Sequence, residues 1–431
     1  MTHPAAMTIL EPILDGDAAV AAGEAIADIA RALAALPPLR LGASLTDELT
    51  WAQAPSLASG RAGIAVAAAY LAAARGEEGG AAAMRFLGEA IEALAETSLG
   101  PSLFDGFTGV AWATDLVRDR FFDGAGEDPN GAVDEAIVEH LARRDAKGEV
   151  DLMYGVVGMG VYGLGRLARP GGRACVEGAV AALAEVARER RHGAPFWTAA
   201  ERLPPELRGS FPDGHANLGL AHGLPGIIAF LGHAAARGVA GDQATALLHE
   251  LVPWLLSQRL GPDSISCFPE CVAPGVARPA RLAWCYGDLG IAIALLAAAR
   301  GAGRRDWAAL ARVIALAAAA RSPSESGVVD AQLCHGAAGL GHLFHRLHRA
   351  TSEPELRLAS RRWFEWALAS RRPGEGCAGF STIVHPEAAA TPRPVAIPGL
   401  LLGAAGIGLA LASALSVDEP AWDRCLLVDV G

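Results

Sequence analysis

Apolar positions recur along this chain with helical spacing, and they do so in two alternating styles. Runs near 17–36, 81–97, 132–144, 173–190, 241–259, 305–320 and 353–371 are amphipathic, with charges spaced along one side. Runs near 61–75, 107–121, 156–168, 224–237, 288–301, 337–350 and 404–415 are more uniformly apolar, and Ile291 to Ala299 contains no polar residue. A helix with one apolar stripe is half-exposed, whereas a helix apolar all round is buried all round. The pattern predicts seven outer helices alternating with seven inner ones. Consecutive helices joined by modest loops pack antiparallel. Seven such pairs, one set inside the other, close into a double-layered ring, an all-α α/α toroid. An open solenoid also satisfies pairwise stacking, but its terminal copies usually turn polar to cap the ends. The seventh inner run is among the most apolar, so closure is expected.

Each inner run opens with the same motif: a residue, Gly, two more residues and a second Gly. The copies are Ser59-Gly60 to Gly63, Asp105-Gly106 to Gly109, Tyr154-Gly155 to Gly158 and His222-Gly223 to Gly226. They continue as Tyr286-Gly287 to Gly290, His335-Gly336 to Gly339 and Leu402-Gly403 to Gly406. Their first glycines are 46, 49, 68, 64, 49 and 67 residues apart, the period of a helical array. Glycine there permits φ > 0 in the entering turn and close approach of neighbouring backbones. Parallel inner helices would gather their N-termini at one end of the barrel, with unpaired N–H groups and positive dipole ends. An anionic centre such as a thiolate-bound metal would be favoured there. Long connections at 191–221, 260–284 and 372–398 are expected to rim the same end. Nothing in the chain has linker composition, so residues 1–431 are expected to form a single domain.

Composition sharpens this picture. Hydrophobic residues make up 52% and charged residues 19%, with aromatics at only 6%. Alanine fills most apolar positions, which favours helix and lets helices approach closely. A net charge of −11 argues against a nucleic-acid partner, which needs a basic face. Met1-Thr2-His3-Pro4 lacks the basic-then-apolar layout of a signal peptide, so a cytoplasmic location is expected. Ile397 to Val417 is uncharged and long enough to cross a bilayer. It carries Pro398 and four glycines and coincides with the seventh motif, which makes it an expected inner helix. Seven cysteines form an odd set. Without an export signal, metal binding or catalysis is the sharper reading for clustered thiols.

Cys285 and Cys334 each stand two residues before a motif glycine, in the same slot of neighbouring repeats, and His335 follows Cys334. Two thiolates and an imidazole supply three corners of a tetrahedron, the preference of zinc, with the fourth corner open to water or substrate. His222 takes the slot before Gly223 on an earlier helix, a place for an acid/base rather than a ligand. Asp151, four residues before Gly155, suits either a cap or the site. Arg281 and Tyr286 flank Cys285; the arginine would either stabilise developing negative charge or pair with a carboxylate. Cys267 and Cys271 form a C-x₃-C pair with no second ligand pair nearby and are read as incidental. His342, His345 and His348 lie too far along their helix for ligation, so a buried or lumen-lining role is expected. His215 and His385 fall in the rim loops, within reach of a substrate.

Trp284-Cys285-Tyr286-Gly287 followed by Cys334-His335-Gly336, with His222-Gly223 upstream and seven Gly motifs, resembles the lanthionine synthetase C-like family. The resemblance covers about residues 55 to 415. It implies a double ring of seven outer and seven inner helices. It also implies Cys285, Cys334 and His335 as ligands of Zn²⁺, His222 as acid/base, Asp151 and Arg281 at other active-site positions, and Tyr286 beside the metal. Leu282 departs from the pattern, since a polar residue commonly follows the arginine in bacterial cyclases. The stretch 110–150 is too short for the peptide-binding domain that some members add. The implied activity is that of a stand-alone lanthipeptide cyclase. A cysteine thiol of a precursor peptide adds to dehydroalanine or dehydrobutyrine, giving lanthionine or methyllanthionine. The implied partners are a dehydrated precursor peptide (leader plus core), a separate dehydratase and a transporter complex, with membrane contact only by association. Two other readings are open: intermolecular addition of a thiol such as glutathione at the same site, and a non-catalytic scaffold of a peptide-modifying complex that binds a partner through its helical ring. A carbohydrate enzyme would need two carboxylates at the mouth. Asp105, Asp151 and Asp288 lie near motifs, but that chemistry gives no reason for the cysteines.

Overall fold

Fourteen helices of ten or more residues alternate between two layers in the computed structural model, which describes residues 11–40, 53–77, 80–121, 128–143, 149–276, 278–384 and 391–431. In chain order an outer helix precedes each inner one. The series runs α1 (Gly16–Ala34) and α2 (Arg61–Ala74), α3 (Ala81–Glu96) and α4 (Phe107–Phe121), then α5 (Gly131–Arg143) and α6 (Val156–Gly165). It continues with α7 (Pro170–Val186) and α9 (Leu224–Ala236), α10 (Gly241–Leu256) and α11 (Asp288–Ala302), α12 (Arg305–Ala320) and α14 (Ala337–Thr351), and finally α15 (Pro354–Ser370) and α16 (Ala404–Leu415). Two single-turn helices, α8 (Pro205–Arg208) and α13 (Pro323–Ser326), lie in the connections.

The two layers follow from the two hydrophobic patterns. Outer α1 buries Ala22, Ala25, Ile26, Ile29 and Leu33, one stripe at helical spacing. Inner α11 buries every residue from Asp288 to Leu295. Small residues let the inner helices touch: a Cβ on Gly232 of α9 would lie 2.4 Å from the backbone of Ala297 on α11. The ring closes, since α16 packs on both α1 and α2 and Ile13 donates its N–H to the Ala414 carbonyl at 2.9 Å.

Closure is also written in the backbone of the entrance turns. The N–H of Ala58 donates to Phe104, Phe104 to Met153, Leu152 to Ala221, and Ala221 to Cys285, at 2.9 to 3.4 Å. Trp284 donates to Cys334, Cys334 to Leu401, and Leu401 back to Ala58, each at 2.9 Å. A hoop of hydrogen bonds thus runs once around the barrel, and both Cys285 and Cys334 are members of it.

The turns differ from expectation in two respects. Of the first glycines, Gly287 adopts φ +92, whereas Gly60, Gly155, Gly223, Gly336 and Gly403 are extended, with φ between −101 and −137. Glycine is needed at these five for space: a Cβ on Gly223 would lie 2.2 Å from the Asn217 carbonyl oxygen. The second glycines meet the turn and the adjacent repeat together. A Cβ on Gly109 would lie 1.9 Å from the Leu103 oxygen and 2.9 Å from Leu57 Cβ. In addition, the first N–H of five inner helices is not left open to the mouth. Arg61, Phe107, Val156, Ala337 and Ala404 donate to Ala54, Gly100, Glu149, Asp330 and Ile397 respectively. At these five helices the turn caps its own helix and takes the first N–H away from any anion.

Short antiparallel strands within the long connections were not apparent from a helical pattern. They are β1 (Arg190–Arg191) with β2 (Ala194–Pro195), and β6 (Thr382–Val384) with β7 (Arg393–Val395). A third sheet joins β3 (Trp197–Thr198), β4 (His215–Asn217) and β5 (Cys271–Val272), pairing Ala216 with Val272 and Asn217 with Cys271. It stitches connection 191–221 to connection 260–284. After α16 the chain turns into the barrel: Trp422, Leu426 and Val428 are buried, Trp284 Nε1 donates to the Leu426 carbonyl at 2.9 Å, and His342 Nε2 meets Asp423 at 2.8 Å. Among the described residues no helix is long and apolar enough to cross a membrane, and α16 is an inner helix.

Candidate metal centre

Cys285 and Cys334 sit two residues before the first glycines of the fifth and sixth turns, and His335 one residue before. The hoop fixes their backbones, since the Cys334 carbonyl accepts from Trp284 and its N–H donates to Leu401. Trp284, fully packed beside Cys285, is anchored on its other side by the Leu426 carbonyl. The result is that the donor atoms of Cys285, Cys334 and His335 all lie within 4.8 Å of one another. No other group of three such donors exists among the described residues.

The electrostatics of the pair are set by their mutual hydrogen bond and their burial. The hydrogen bond from Cys334 holds the Cys285 thiol well below its ordinary 9.0, against the cost of burial, with His335 and the charge of Arg281 helping. Cys334, which gives that hydrogen bond and is buried beside Cys285, is held well above 9.0. His335 Nδ1 is buried with no hydrogen-bond partner. Two sulfurs and an imidazole converging this closely fit zinc, whose ligand–ligand separations are roughly 3–4 Å in a tetrahedral site. A buried imidazole nitrogen without a partner is the kind of atom that a metal satisfies.

A second constellation faces the same mouth. His222 Nδ1 lies 2.8 Å from Asp151 Oδ2, and the other carboxylate oxygen accepts the Tyr154 N–H at 2.7 Å. Asp151 therefore acts both as a turn cap and as the partner of His222. The Tyr154 ring stacks on the imidazole at 5.6 Å between centroids. Tyr286 accepts a hydrogen bond from Asn217 Nδ2 at 2.9 Å, and burial raises its phenol pKa. Arg281 is exposed with its stem against Gly327. No carboxylate pairs with it among the described residues, and its charge reaches both thiols.

The remaining candidates lie elsewhere. Cys271 packs with Leu203 and Phe211 in a separate small cluster, and the Cys267 N–H donates to Asp288 at 2.9 Å. Buried Asp288 also pairs with Arg321, so this carboxylate fastens the 260–284 connection to α11. His215 is buried against Phe211, which lowers its pKa and removes it from substrate reach. His342 binds Asp423 of the inserted tail, and His348 bonds the Glu353 carbonyl at 2.9 Å. His385 lies outside the described residues. All seven cysteines are free thiols. Sequence reasoning missed Tyr154 and Asn217 as partners of His222 and Tyr286. Tyr154 holds the slot that His222 holds one repeat later, and that register was the available signal.

A family model described as lanthionine synthetase C-like protein matches residues 52–427. Among solved structures, nisin cyclase superposes with a TM-score of 0.69, covering 87% of this chain and 92% of that one at 18% sequence identity, a likeness of fold. No curated protein sequence matches the chain.

Proposed function

The chain belongs to the lanthionine synthetase C-like family, and from that premise we propose that it is a zinc-dependent lanthipeptide cyclase. Its reaction would be the addition of precursor-peptide cysteine thiols to dehydroalanine or dehydrobutyrine. The observation that carries this is the convergence of Cys285, Cys334 and His335 within 4.8 Å at the end of the barrel where the inner helices begin. These three residues would hold Zn²⁺. When bound, it supplies Lewis acidity that lowers the pKa of an incoming thiol from about 8.5 toward neutrality.

The chain's own groups account for the rest. His222 has Nδ1 committed to Asp151, which leaves Nε2 to take the proton from the thiol. Sulfur bonds to the β-carbon while the π electrons move toward the carbonyl, building negative charge on its oxygen. Arg281, cationic and without a carboxylate partner among the described residues, stands ready to stabilise that charge. His222 then returns the proton to the α-carbon, so the reaction balances without an oxidant or reductant. Tyr286, held by Asn217, orients the wall beside Cys285. Peptide and dehydratase are the implied partners, with a transporter complex the expected membrane association. Seven unpaired thiols suit a reducing cytoplasm. Because the ring needs every pair to close, the proposed unit of function is one domain over residues 1–431.

Purified protein is expected to carry about one zinc, and Cys285→Ala or Cys334→Ala to lose it. Incubated with a dehydrated peptide, the wild type should consume peptide thiols without changing peptide mass. A mass increase would instead indicate intermolecular thiol addition, and stoichiometric zinc in either cysteine variant would remove the basis of the site.

A further inference from the structure

The residue before the first glycine holds an equivalent place in all seven turns, and three of these residues, His222, Tyr286 and His335, take part in the chemistry proposed above. Asp105 occupies the same slot without an assigned task, and Tyr154 in that slot uses only one face of its ring, against His222. Both are exposed although the residues on either side of each, Phe104 and Gly106, Met153 and Gly155, are buried. The turn presenting Asp105 is built like the one presenting His335. Phe107 donates to Gly100 at 3.1 Å as Ala337 does to Asp330 at 2.9 Å, and Gly106 to Ser102 at 3.2 Å as Gly336 does to Gln332 at 3.0 Å. Phe104, like Cys334, belongs to the hoop. Asp105, Tyr154 and His222 therefore follow one another around the mouth at the starts of α4, α6 and α9.

Their chemistry is complementary. Tyr154 stacks one face on His222 and is still 48% exposed. Among the described residues no hydrogen bond or ion pair reaches the Asp105 carboxylate, and the Phe104 N–H donates to the Met153 carbonyl at 3.3 Å, so the turns that carry Asp105 and Tyr154 lie side by side. Burial first, and then the Asp105 charge, raise the Tyr154 phenol pKa, and the carboxylate has no counter-charge in its turn. A carboxylate in that condition beside an open aromatic ring favours a cation, through a charge-assisted hydrogen bond and a cation–π contact. Asp105 is no member of the thiol–imidazole cluster, and His222 already has its carboxylate in Asp151, so neither ligation nor histidine orientation accounts for it.

We propose that Asp105 and Tyr154 form a subsite for a cationic side chain, ammonium or guanidinium, of the peptide whose thiol reacts at the neighbouring centre. The subsite makes a basic residue near the dehydroamino acid a determinant of which peptide is accepted. It rests on peptide thiol addition being the activity of the mouth, and the test separates the two. The probes are two synthetic dehydroalanine peptides with serine in place of the reacting cysteine, alike except for lysine or norleucine beside the dehydroalanine. Their binding to zinc-loaded full-length protein is measured by calorimetry. The lysine peptide is expected to bind about tenfold more tightly. Asp105→Asn should bring that ratio close to one, and Tyr154→Leu should reduce it, with zinc content retained in both. Equal binding of the two peptides by the wild type, or a ratio that persists in Asp105→Asn, overturns the subsite. Cysteine-containing versions read the activity separately. A lysine preference without ring formation removes the cyclase assignment and leaves the subsite standing, whereas ring formation with equal KM for both peptides removes the subsite alone.

Discussion

His222 has one nitrogen tied to Asp151 at 2.8 Å and one face covered by Tyr154, so its orientation is set from two directions while proton transfer is left to Nε2. His222→Asn keeps a polar group of similar reach but no titratable nitrogen. It is expected to retain zinc and lose about 10²- to 10⁴-fold in kcat for cyclisation; an unchanged rate would make His222 structural. Asp151→Asn should slow the reaction in the same direction with metal retained. The thiol pair makes a different prediction, about protons. Cys285 is held low and Cys334 high by the hydrogen bond between them, and both must be thiolates to hold a metal. Loading should therefore release protons, and affinity should rise as pH increases through the range in which Cys334 keeps its proton. Calorimetry in buffers of different ionisation enthalpy measures the release, and none at all, with an affinity indifferent to pH, would contradict thiolate ligation.

At the scale of the element, the entrance turn is the repeated device, and its glycines serve mainly to provide space. Gly109→Ala places a methyl 1.9 Å from a carbonyl oxygen. It should cost roughly 1–3 kcal/mol or more, because a backbone oxygen has nowhere to go. Gly88, in the middle of α3 with nothing within 4 Å of a built Cβ, provides the contrast. Gly88→Ala should stabilise by about 0.5–1 kcal/mol. Thermal melts of the two variants moving in the same direction would refute the packing account. The turns were legible in the sequence because Gly-x-x-G recurs before each apolar run. Their capping was not, since the N–H groups are taken by carbonyls seven residues upstream, in segments with no shared side-chain pattern. The small sheets escaped for a similar reason. Two- and three-residue strands such as Cys271–Val272 carry no periodicity.

At the scale of the whole molecule, closure turns seven local turns into one mouth. Helix count, layer assignment and the three-donor cluster could be read from the sequence, because alternating amphipathic and wholly apolar runs determine inside and outside, and slot equivalence determines what converges. The tail after α16 could not be, because its anchors are single contacts made across the barrel, such as Trp284 to Leu426 and His342 to Asp423. Stacking of the fifth turn on the sixth, fixed by the Trp284 to Cys334 hydrogen bond, is what brings the sulfurs of two different repeats to one imidazole, and the cyclase assignment depends on that meeting leaving a corner free. X-ray absorption at the zinc edge, on loaded protein with and without a cysteine-containing dehydrated peptide, tests it most directly. The account predicts two sulfurs near about 2.3 Å, one imidazole nitrogen near about 2.0 Å and one light atom, with the sulfur count rising to three when peptide is added. Four protein ligands, or a sulfur count indifferent to the peptide, would contradict it.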